Sequence, residues 1–256
     1  MTVSSFPSKK CGIPVKQALE INPDLAMYMT EKGLDLGNSK ALLLYNKLIL
    51  KEFMDLEFDL PEGYLIPTIC SRWAFLKYIL QFKPLNVLEI GTGASGILSL
   101  MLGRLGISVT ATEIDEEAIE SAGSNFQRNK LQDRITLVKS NSEIIIGLLP
   151  QLSEFDLILC NPPQYNEKYY QQHKSSSRGF VGNFSELVGG EKGHEFILAL
   201  LSEVKKFQAP PPVFFQLTLP KLKPVLEEEL NKQKYNFSVT SNRVGTRIRI
   251  YYQVKF

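Results

Sequence analysis

An Asn-Pro-Pro tripeptide, Asn161 to Pro163, directly follows the apolar run LILC. The side-chain oxygen of Asn161 and the backbone carbonyl of Pro162 are hydrogen-bond acceptors, and the stiffness of proline would hold them in place. An amine conjugated to a ring is a poor nucleophile, because its lone pair is delocalised. Two fixed acceptors that bind both of its N–H groups would turn the lone pair towards an electrophile. The tripeptide therefore predicts chemistry on an amino group.

A glycine-rich loop, GTGASG at 91–96, follows the strand-like NVLEI and precedes the helix-like ILSLML. Glycines allow a tight turn and let a ligand approach the N–H groups at a helix N-terminus. Such loops bind dinucleotides in dehydrogenases and S-adenosylmethionine in class I methyltransferases, and both classes place an acidic residue after the second strand to bind ribose. Glu113 fits either class, and Asp115 is predicted to cap the next helix. The Asn-Pro-Pro motif favours the methyltransferase, since a dehydrogenase has no need of it.

The elements that must position these motifs alternate along the chain from Asn86 onward. NVLEI, SVTATE, RITLVK and FDLILC predict buried strands, and ILSLMLGRLG, EEAIESAGSNFQRNK and SEIIIGLLPQL predict helices. This alternation is typical of βαβ units in a doubly wound parallel sheet. At the C-terminus, RIRIYYQVKF predicts an edge hairpin with outward Arg and inward Ile and Tyr.

The composition suits one large globular domain, with 256 residues, 44% hydrophobic and 22% charged. Residues 1–84 are predicted to form a helical N-terminal cap and residues 85–256 a Rossmann-like domain. Residues 165–192 are predicted to be one long loop, which is usually functional or mobile. The net charge of +2 is too small to indicate a nucleic-acid-binding protein by itself. Basic residues nevertheless gather in local groups: Lys9, Lys10 and Lys16; Lys168, Lys174 and Arg178; Arg243, Arg247 and Arg249.

Cys11, Cys70 and Cys160 have neither metal-site nor redox spacing, so they are predicted to be reduced thiols. His173 and His194 lie far apart without a cysteine partner, so no metal site is expected. No signal-peptide core and no run of about eighteen apolar residues is present. These features predict a cytoplasmic protein with no membrane association, and we expect a monomer.

The chain resembles the RlmF and methyltransferase-like-sixteen family of RNA adenine methyltransferases. The counterparts are EIGTGASG, ATEID, CNPP, EF in GHEFILALL, TRIRIYYQVKF and, most specific to the family, FDLPEGYLIPTICSRWAFLKYI. The resemblance covers most of the chain from about residue 39. It implies a class I α/β fold with a doubly wound, mostly parallel seven-stranded sheet and a C-terminal antiparallel hairpin. It also implies S-adenosylmethionine as the donor and the adenine amine (N6) of structured RNA as the acceptor.

The resemblance also implies roles for individual residues. Arg72 would contact the methionine end of the donor, Gly91 would approach it by its backbone, and Glu113 would bind the ribose. Asn161, Pro162 and Pro163 would receive the amine. The predicted cofactor-binding set comprises Arg72, Glu89, Gly91, Thr92, Gly93, Glu113, Asn141 and Asn161.

The chain departs from the family after the two prolines, where Gln164 stands in place of Phe and Tyr165 follows. An aromatic ring at this point stacks on the flipped base, a contact worth roughly 1–3 kcal/mol. Glutamine cannot supply that contact, so we expect Tyr165 to supply it. The neighbouring aromatic and basic residues suit single-stranded or looped RNA, although each alone is nearly as well explained as solvated loop. These residues are Lys168, Tyr169, Tyr170, Lys174 and Arg178.

Three other functions are compatible with the motifs. A protein glutamine-amide methyltransferase uses the same Asn-Pro-Pro logic, but the basic cap and the segment around Arg72 argue against it. A DNA amino-methyltransferase would need a base-reading domain, and none is visible. A non-catalytic RNA-binding relic of the fold would not need the intact Glu113 and Asn161.

Overall fold

A computed structural model describes residues 10–174 and 182–256 of the chain. Within these residues, seven strands form one sheet in the order β5-β4-β3-β6-β7-β9-β8. The strands of this sheet are β3 Asn86–Ile90, β4 Ser108–Glu113, β5 Ile135–Lys139, β6 Leu157–Cys160, β7 Val213–Leu217, β8 Asn236–Val244 and β9 Arg247–Lys255. Two short strands, β1 Met29–Thr30 and β2 Gly33–Leu34, pair separately.

Among the α-helices of the described residues, some cover one face of this sheet and others cover the opposite face. They are α1 Val15–Ile21, α2 Ser39–Met54, α3 Ile69–Ile79, α4 Ile97–Arg104, α5 Glu116–Arg128, α6 Glu167–His173, α7 Phe184–Leu187, α8 Glu195–Val204 and α9 Lys223–Lys232. None of the helices in the described part of the chain is long and apolar enough to cross a membrane.

The sheet confirms the predicted α/β class. Strands β3 to β7 pair in parallel, and β9 runs antiparallel to both β7 and β8. The chain winds outward from β3 through β4 to β5 and then returns to β6 on the other side of β3. Ligands of such sheets bind at the carboxyl ends of the strands, where the winding direction changes. The glycine loop follows β3 and the Asn-Pro-Pro motif follows β6, so the fold brings both to this point.

The central parallel strands β3, β6 and β7 are almost entirely buried, because helices cover both faces of the sheet. One core combines Trp73 and Phe75 of α3 with Met101 of α4, and Tyr251 of β9 reaches it from the sheet. Tyr252, the next residue of β9, points into the second core, which α8 and α9 cover on the opposite face. The alternation of side chains along a strand explains why these neighbouring tyrosines are both fully buried.

The segment that joins α2 to α3 crosses α5 on its way to the carboxyl edge of the sheet. The side chain of Asn125 accepts a hydrogen bond from the backbone N–H of Asp59 and donates one to its carbonyl. The hydroxyl of Tyr64 donates to Asp115 at the start of α5, over 2.8 Å. These hydrogen bonds hold the segment so that Leu65 and Pro67 lie near the glycine loop, at the carboxyl edge of the sheet. The N-terminal segment thus supplies part of the wall of the site.

Two predictions about local structure are wrong. Residues 142–152 form turns rather than a helix, because Gly147 has a φ of +88° and the backbone N–H groups of Ile145 and Ile146 bind the carboxylate of Glu203. Residues 165–192 are not one unbroken loop, since they contain α6 and α7.

The C-terminal hairpin is present at the edge of the sheet, and its predicted facing is right for Arg247, Ile250, Tyr251 and Tyr252 but wrong for Arg249 and Ile248. Strand β9 lies between β7 and β8, so β8 is the edge strand. Arg249 is buried and its Nε donates to Ser71 Oγ over 2.8 Å, whereas Ile248 is 46% exposed. Arg249 points inward because the hydroxyl of Ser71 on α3, which packs against the sheet, accepts its hydrogen bond.

Candidate active site

The glycine loop is open to a ligand on one side and closed by packing on the other. A Cβ built on Gly91, whose φ is +69°, would meet no atom within 4 Å. A Cβ on Gly96, where α4 begins, would come within 2.5 Å of the Phe126 ring. The first glycine therefore leaves room for a ligand beside the backbone, and the last allows α4 to pack against α5.

Glu113 ends β4 beside this loop, as predicted. Its carboxylate accepts hydrogen bonds from the backbone N–H groups of Gly93 and Ile114, both over 2.8 Å. Asp115 accepts from Ala118 N over 3.0 Å, which confirms it as the N-cap of α5. The glycine loop and the acidic residue are thus held side by side at the carboxyl end of β4.

Glu89, the fourth residue of β3, is buried beneath the loop. Its carboxylate accepts from the hydroxyl of Thr92 over 3.0 Å and from that of Ser99. Burial raises the pKa of Glu89 to about 7, although the two hydroxyls and the charge of Arg72 favour its ionised form.

Arg72, in the first turn of α3, is buried, and its guanidinium makes no hydrogen bond or salt bridge with any residue that the structure describes. Burial and the neighbouring Arg249 lower its pKa to about 10, while Glu89 and Glu186 favour the charged form. It therefore remains a cation at neutral pH. A buried cation without a direct partner is costly, and a bound anion such as a carboxylate would offset that cost.

These residues line a first cavity of about 800 Å³, counting the space open to solvent, which we call the donor cavity. It contains all of the predicted cofactor-binding residues except one: Arg72, Glu89, Gly91, Thr92, Gly93, Glu113 and Asn161. The exception is Asn141, which follows β5, is exposed and does not line the cavity. Its backbone N–H donates to the carboxylate of Glu143.

Two glutamines bind the two predicted acceptors of the Asn-Pro-Pro motif. Gln216 Nε2 donates to the side-chain oxygen of Asn161 over 2.7 Å, and Gln164 Nε2 donates to the carbonyl of Pro162 over 3.1 Å. A carbonyl oxygen has two lone pairs, so each acceptor can still take one N–H from a substrate amine. The glutamines fix the directions in which these oxygens point.

Gln164, the residue that departs from the family pattern, is buried and does not face solvent. Its Nε2 also donates to the backbone carbonyl of Gln216 over 2.9 Å, and its Oε1 accepts from Thr218 N over 2.6 Å. It therefore joins the Asn-Pro-Pro loop to the end of β7. One signal of this network is present in the sequence, because Gln216 is the polar residue of the otherwise apolar VFFQL strand.

Tyr165 lines a second cavity, which we call the acceptor cavity, together with Arg247 and Arg249 of the hairpin. Its ring stacks on Tyr169, with centroids 5.0 Å apart and planes 8° from parallel. The donor and acceptor cavities share Leu65, Arg72, Asn161 and Glu186.

Glu186 was not among the predicted site residues. It accepts from the backbone N–H groups of Asn183 and Leu65 and completes a capping box at the start of α7. Burial is the largest cause that raises its pKa to about 7. The pattern N-x-x-E in NFSEL is a helix-start signal that the sequence contained.

The basic residues divide into exposed and buried groups. Lys10, Lys16, Lys168, Lys174 and Arg247 are exposed, as is Arg243. Arg249 is buried against α3. Lys9 and Arg178 lie outside the described residues.

The sheet order, the glycine loop after the first parallel strand and the acidic residue after the second define a class I methyltransferase fold. The chain belongs to a family described as RNA methyltransferase, whose sequence model matches residues 15–209.

Two relatives illustrate the family, and two solved structures of one human protein illustrate the fold. A predicted methyltransferase of Methanocaldococcus jannaschii is 32% identical over 261 residues, covering 95% of this chain and 98% of that one. Ribosomal RNA large subunit methyltransferase F of Psychromonas ingrahamii is 30% identical over 232 residues, covering 75% and 74%. The catalytic domain of human METTL16 in complex with a MAT2A 3′UTR hairpin superposes with a TM-score of 0.85 at 23% identity, covering 100% and 96%. The N-terminal domain of the same human protein in complex with SAH gives a TM-score of 0.78 at 22% identity, covering 100% and 99%.

Membership of this family implies S-adenosylmethionine as the methyl donor. The donor cavity suits it chemically, because the Arg72 guanidinium makes no hydrogen bond or salt bridge with the described residues and Gly91 leaves open space beside the backbone.

Proposed function

We propose that this protein transfers a methyl group from S-adenosylmethionine to the exocyclic amine of adenine in RNA, forming N6-methyladenosine. The observation that carries the proposal is that Asn161 lines both the donor cavity and the acceptor cavity. A group that passes from a donor in one cavity to an acceptor in the other must pass this residue. Family membership supports RNA as the substrate class.

In this proposal, different residues of the donor cavity bind different parts of the donor. Arg72 would bind the methionine carboxylate, the open backbone at Gly91 would lie against the donor, and Glu113 would accept hydrogen bonds from the ribose hydroxyls. Thr92, Gly93 and Glu89 complete this wall of the cavity. When bound, S-adenosylmethionine supplies an electrophilic methyl group on a positively charged sulfur.

The acceptor side would orient the amine. Asn161 Oδ1 and the Pro162 carbonyl would each accept one N–H, and Gln216 and Gln164 hold those oxygens in place. The lone pair of the amine would then face the methyl group, and the surplus proton would leave to water after transfer. Tyr165 would stack on the flipped base, because it lines the acceptor cavity and Gln164 is committed to the end of β7.

The path of the RNA is proposed from the exposed basic residues and from the relatives. Lys168 and Lys174 of the α6 region, Arg247 of the hairpin and the N-terminal cap would contact phosphates. One relative is named a ribosomal RNA methyltransferase and the human domain was crystallised with an RNA hairpin, which favours structured RNA. We further propose that the protein works as a cytoplasmic monomer without a metal ion.

Transfer of a labelled methyl group to total RNA, DNA and protein tests the substrate class. We expect label in RNA, recovered as N6-methyladenosine after digestion to nucleosides, and transfer slower by about a hundredfold or more in the Asn161→Ala variant. Label in DNA, or in glutamine of protein, would assign the same site to another substrate. No transfer to any of the three would favour a relic that only binds RNA.

A further inference from the structure

Glu186 occupies the place where the donor and acceptor cavities meet. One of its carboxylate oxygens, Oε2, accepts from Leu65 N over 2.8 Å and from Asn183 N over 3.1 Å. The other, Oε1, lies 3.8 Å from the point at which a Cβ on Gly93 would stand. One oxygen therefore binds the protein while the other faces the glycine loop and the donor cavity.

The charges around this carboxylate are unbalanced. One cation, Arg72, and three carboxylates, Glu89, Glu113 and Glu186, line the donor cavity. Asp115 adds a further negative charge from the start of α5, and together with Glu113 it contributes to the raised pKa of Glu186. Neighbouring carboxylates make each other harder to ionise, because their negative charges repel. A cation bound among them would make ionisation easier.

We infer that Glu186 recognises the positive charge on the sulfur of the donor and thereby distinguishes the donor from the product. The methyl group must cross from one cavity to the other, so the sulfur that carries it lies at their junction. In the transfer, the carbon–sulfur bond breaks with its electron pair left on sulfur, and a carbon–nitrogen bond forms. The sulfur becomes neutral, the attraction to Glu186 is lost, and release of the product is favoured. The ammonium and carboxylate of the methionine portion are the same before and after transfer.

This inference depends on the donor site of the proposed function but not on its RNA substrate. Calorimetric titration without RNA therefore separates the two. Wild-type protein and the Glu186→Gln variant would be titrated with S-adenosylmethionine and with S-adenosylhomocysteine at pH 8, where Glu186 is ionised. Glutamine keeps an oxygen that can accept from Leu65 N and Asn183 N, and it replaces the other carboxylate oxygen with an uncharged NH2 group. Glu191→Gln is the matched control, because Glu191 is an exposed carboxylate that lines neither cavity.

We expect Glu186→Gln to weaken donor binding by about tenfold or more and product binding by less than about threefold, since only the donor carries the extra charge. The control should match the wild type for both ligands. An equal loss for donor and product would overturn the inference and place Glu186 near the methionine ammonium or in a structural role. Unchanged donor binding would overturn it as well. Either result leaves RNA methylation to be judged by its own assay.

A second and independent observation concerns two cysteines that are far apart in sequence. Cys11 and Cys70 are separated by 59 positions, yet their sulfur atoms lie 2.9 Å apart, closer than ordinary van der Waals contact. Both are half-buried free thiols, whereas Cys160 is fully buried. Cys70 lies in the first turn of α3, beside Ser71 and Arg72.

We propose that Cys11 and Cys70 form a disulfide when the protein meets a small disulfide oxidant such as oxidised glutathione. Each thiol would lose one proton and one electron, and one oxidised glutathione would be reduced to two thiols. The new bond would tie the N-terminal segment to the helix that carries Arg72.

Mass spectrometry of the intact protein after incubation with oxidised glutathione tests this proposal. We expect the loss of two hydrogens, a linked peptide pair containing Cys11 and Cys70, and a rise of several degrees in the melting temperature that a reductant reverses. The Cys160→Ser variant should lose two hydrogens as the wild type does, and the Cys11→Ser variant should lose none. Thiols that remain free, a stable glutathione adduct, or a pair involving Cys160 would each overturn the proposal.

Discussion

Gln216 at the end of β7 donates a hydrogen bond of 2.7 Å to the side-chain oxygen of Asn161 at the end of β6. The bond fixes which way the Asn161 amide faces. The Gln216 side-chain oxygen is itself buried without a hydrogen-bond partner among the described residues. Such an atom is costly, and apolar packing would avoid that cost. The glutamine is therefore better explained by what it does to Asn161 than by its contribution to the core.

Asn161→Ala should lower the rate of methyl transfer by about a hundredfold or more, because it removes one preorganised acceptor at the reacting centre. Gln216→Leu should lower the rate by about tenfold, since Asn161 would remain but could rotate. Donor affinity and folding should be nearly unchanged in both. Single-turnover methylation of RNA measures the rate, calorimetry measures donor affinity, and circular dichroism checks folding. Full activity of Asn161→Ala would disprove the proposed orientation of the amine.

Tyr165→Ala should lower transfer strongly and Tyr165→Phe only mildly, because stacking on the base needs the ring and not the hydroxyl. The same single-turnover assay compares them. Because the Tyr169 ring stacks on the Tyr165 ring, Tyr169→Ala is a control that removes this stacking partner but keeps Tyr165 itself. An active Tyr165→Ala variant would show that the base stacks elsewhere in the acceptor cavity.

Gln164→Ala should destabilise the protein by roughly 2–4 kcal/mol, since it leaves several buried hydrogen-bonding groups of the loop and β7 without partners. Denaturant unfolding measures the free energy, and Glu191→Gln provides an exposed comparison. A change below about 0.5 kcal/mol, the range of ordinary surface substitutions, would show that the network contributes little.

Glu113→Ala should weaken donor binding by about 1–3 kcal/mol, because charge-assisted hydrogen bonds to the ribose would be lost. Calorimetry with S-adenosylmethionine tests this directly. Since Glu113 also accepts backbone N–H groups of the glycine loop, Glu113→Gln should retain more affinity than Glu113→Ala. Unchanged affinity, or preference for a nicotinamide dinucleotide, would contradict the assignment of the donor cavity.

Donor affinity should rise with pH between about 6 and 8. The pKa values of Glu89 and Glu186 are raised to about 7, so below that pH both are largely protonated in the free protein. A positively charged donor favours their ionised forms, so protons must be released on binding. Affinity should fall as the pH drops, by up to about tenfold per unit for each group. Calorimetry at several pH values tests this, and Glu186→Gln should show a shallower dependence.

The sequence by itself determined the parts of this protein that depend on local patterns. Alternating apolar runs predicted the parallel strands, and the structure confirms the seven-stranded sheet with its C-terminal hairpin. The glycine loop, the acidic residue after β4 and the N-cap at Asp115 lie where the spacing predicted them. These features succeed because strand burial, tight turns and helix caps are determined within a few residues.

Only the tertiary structure decided which distant residues meet. Gln164 binds atoms more than 50 positions away, Glu186 reaches Leu65 across 121 positions, and Arg249 reaches Ser71 across 178. Periodicity predicts that a side chain is buried or exposed, but it does not identify the partner of a buried polar group. Arg249 was therefore expected to face solvent and Glu186 was missed. Hydrogen-bond partners depend on which chain segments are packed together, and the sheet order and the path of the N-terminal segment fix that packing.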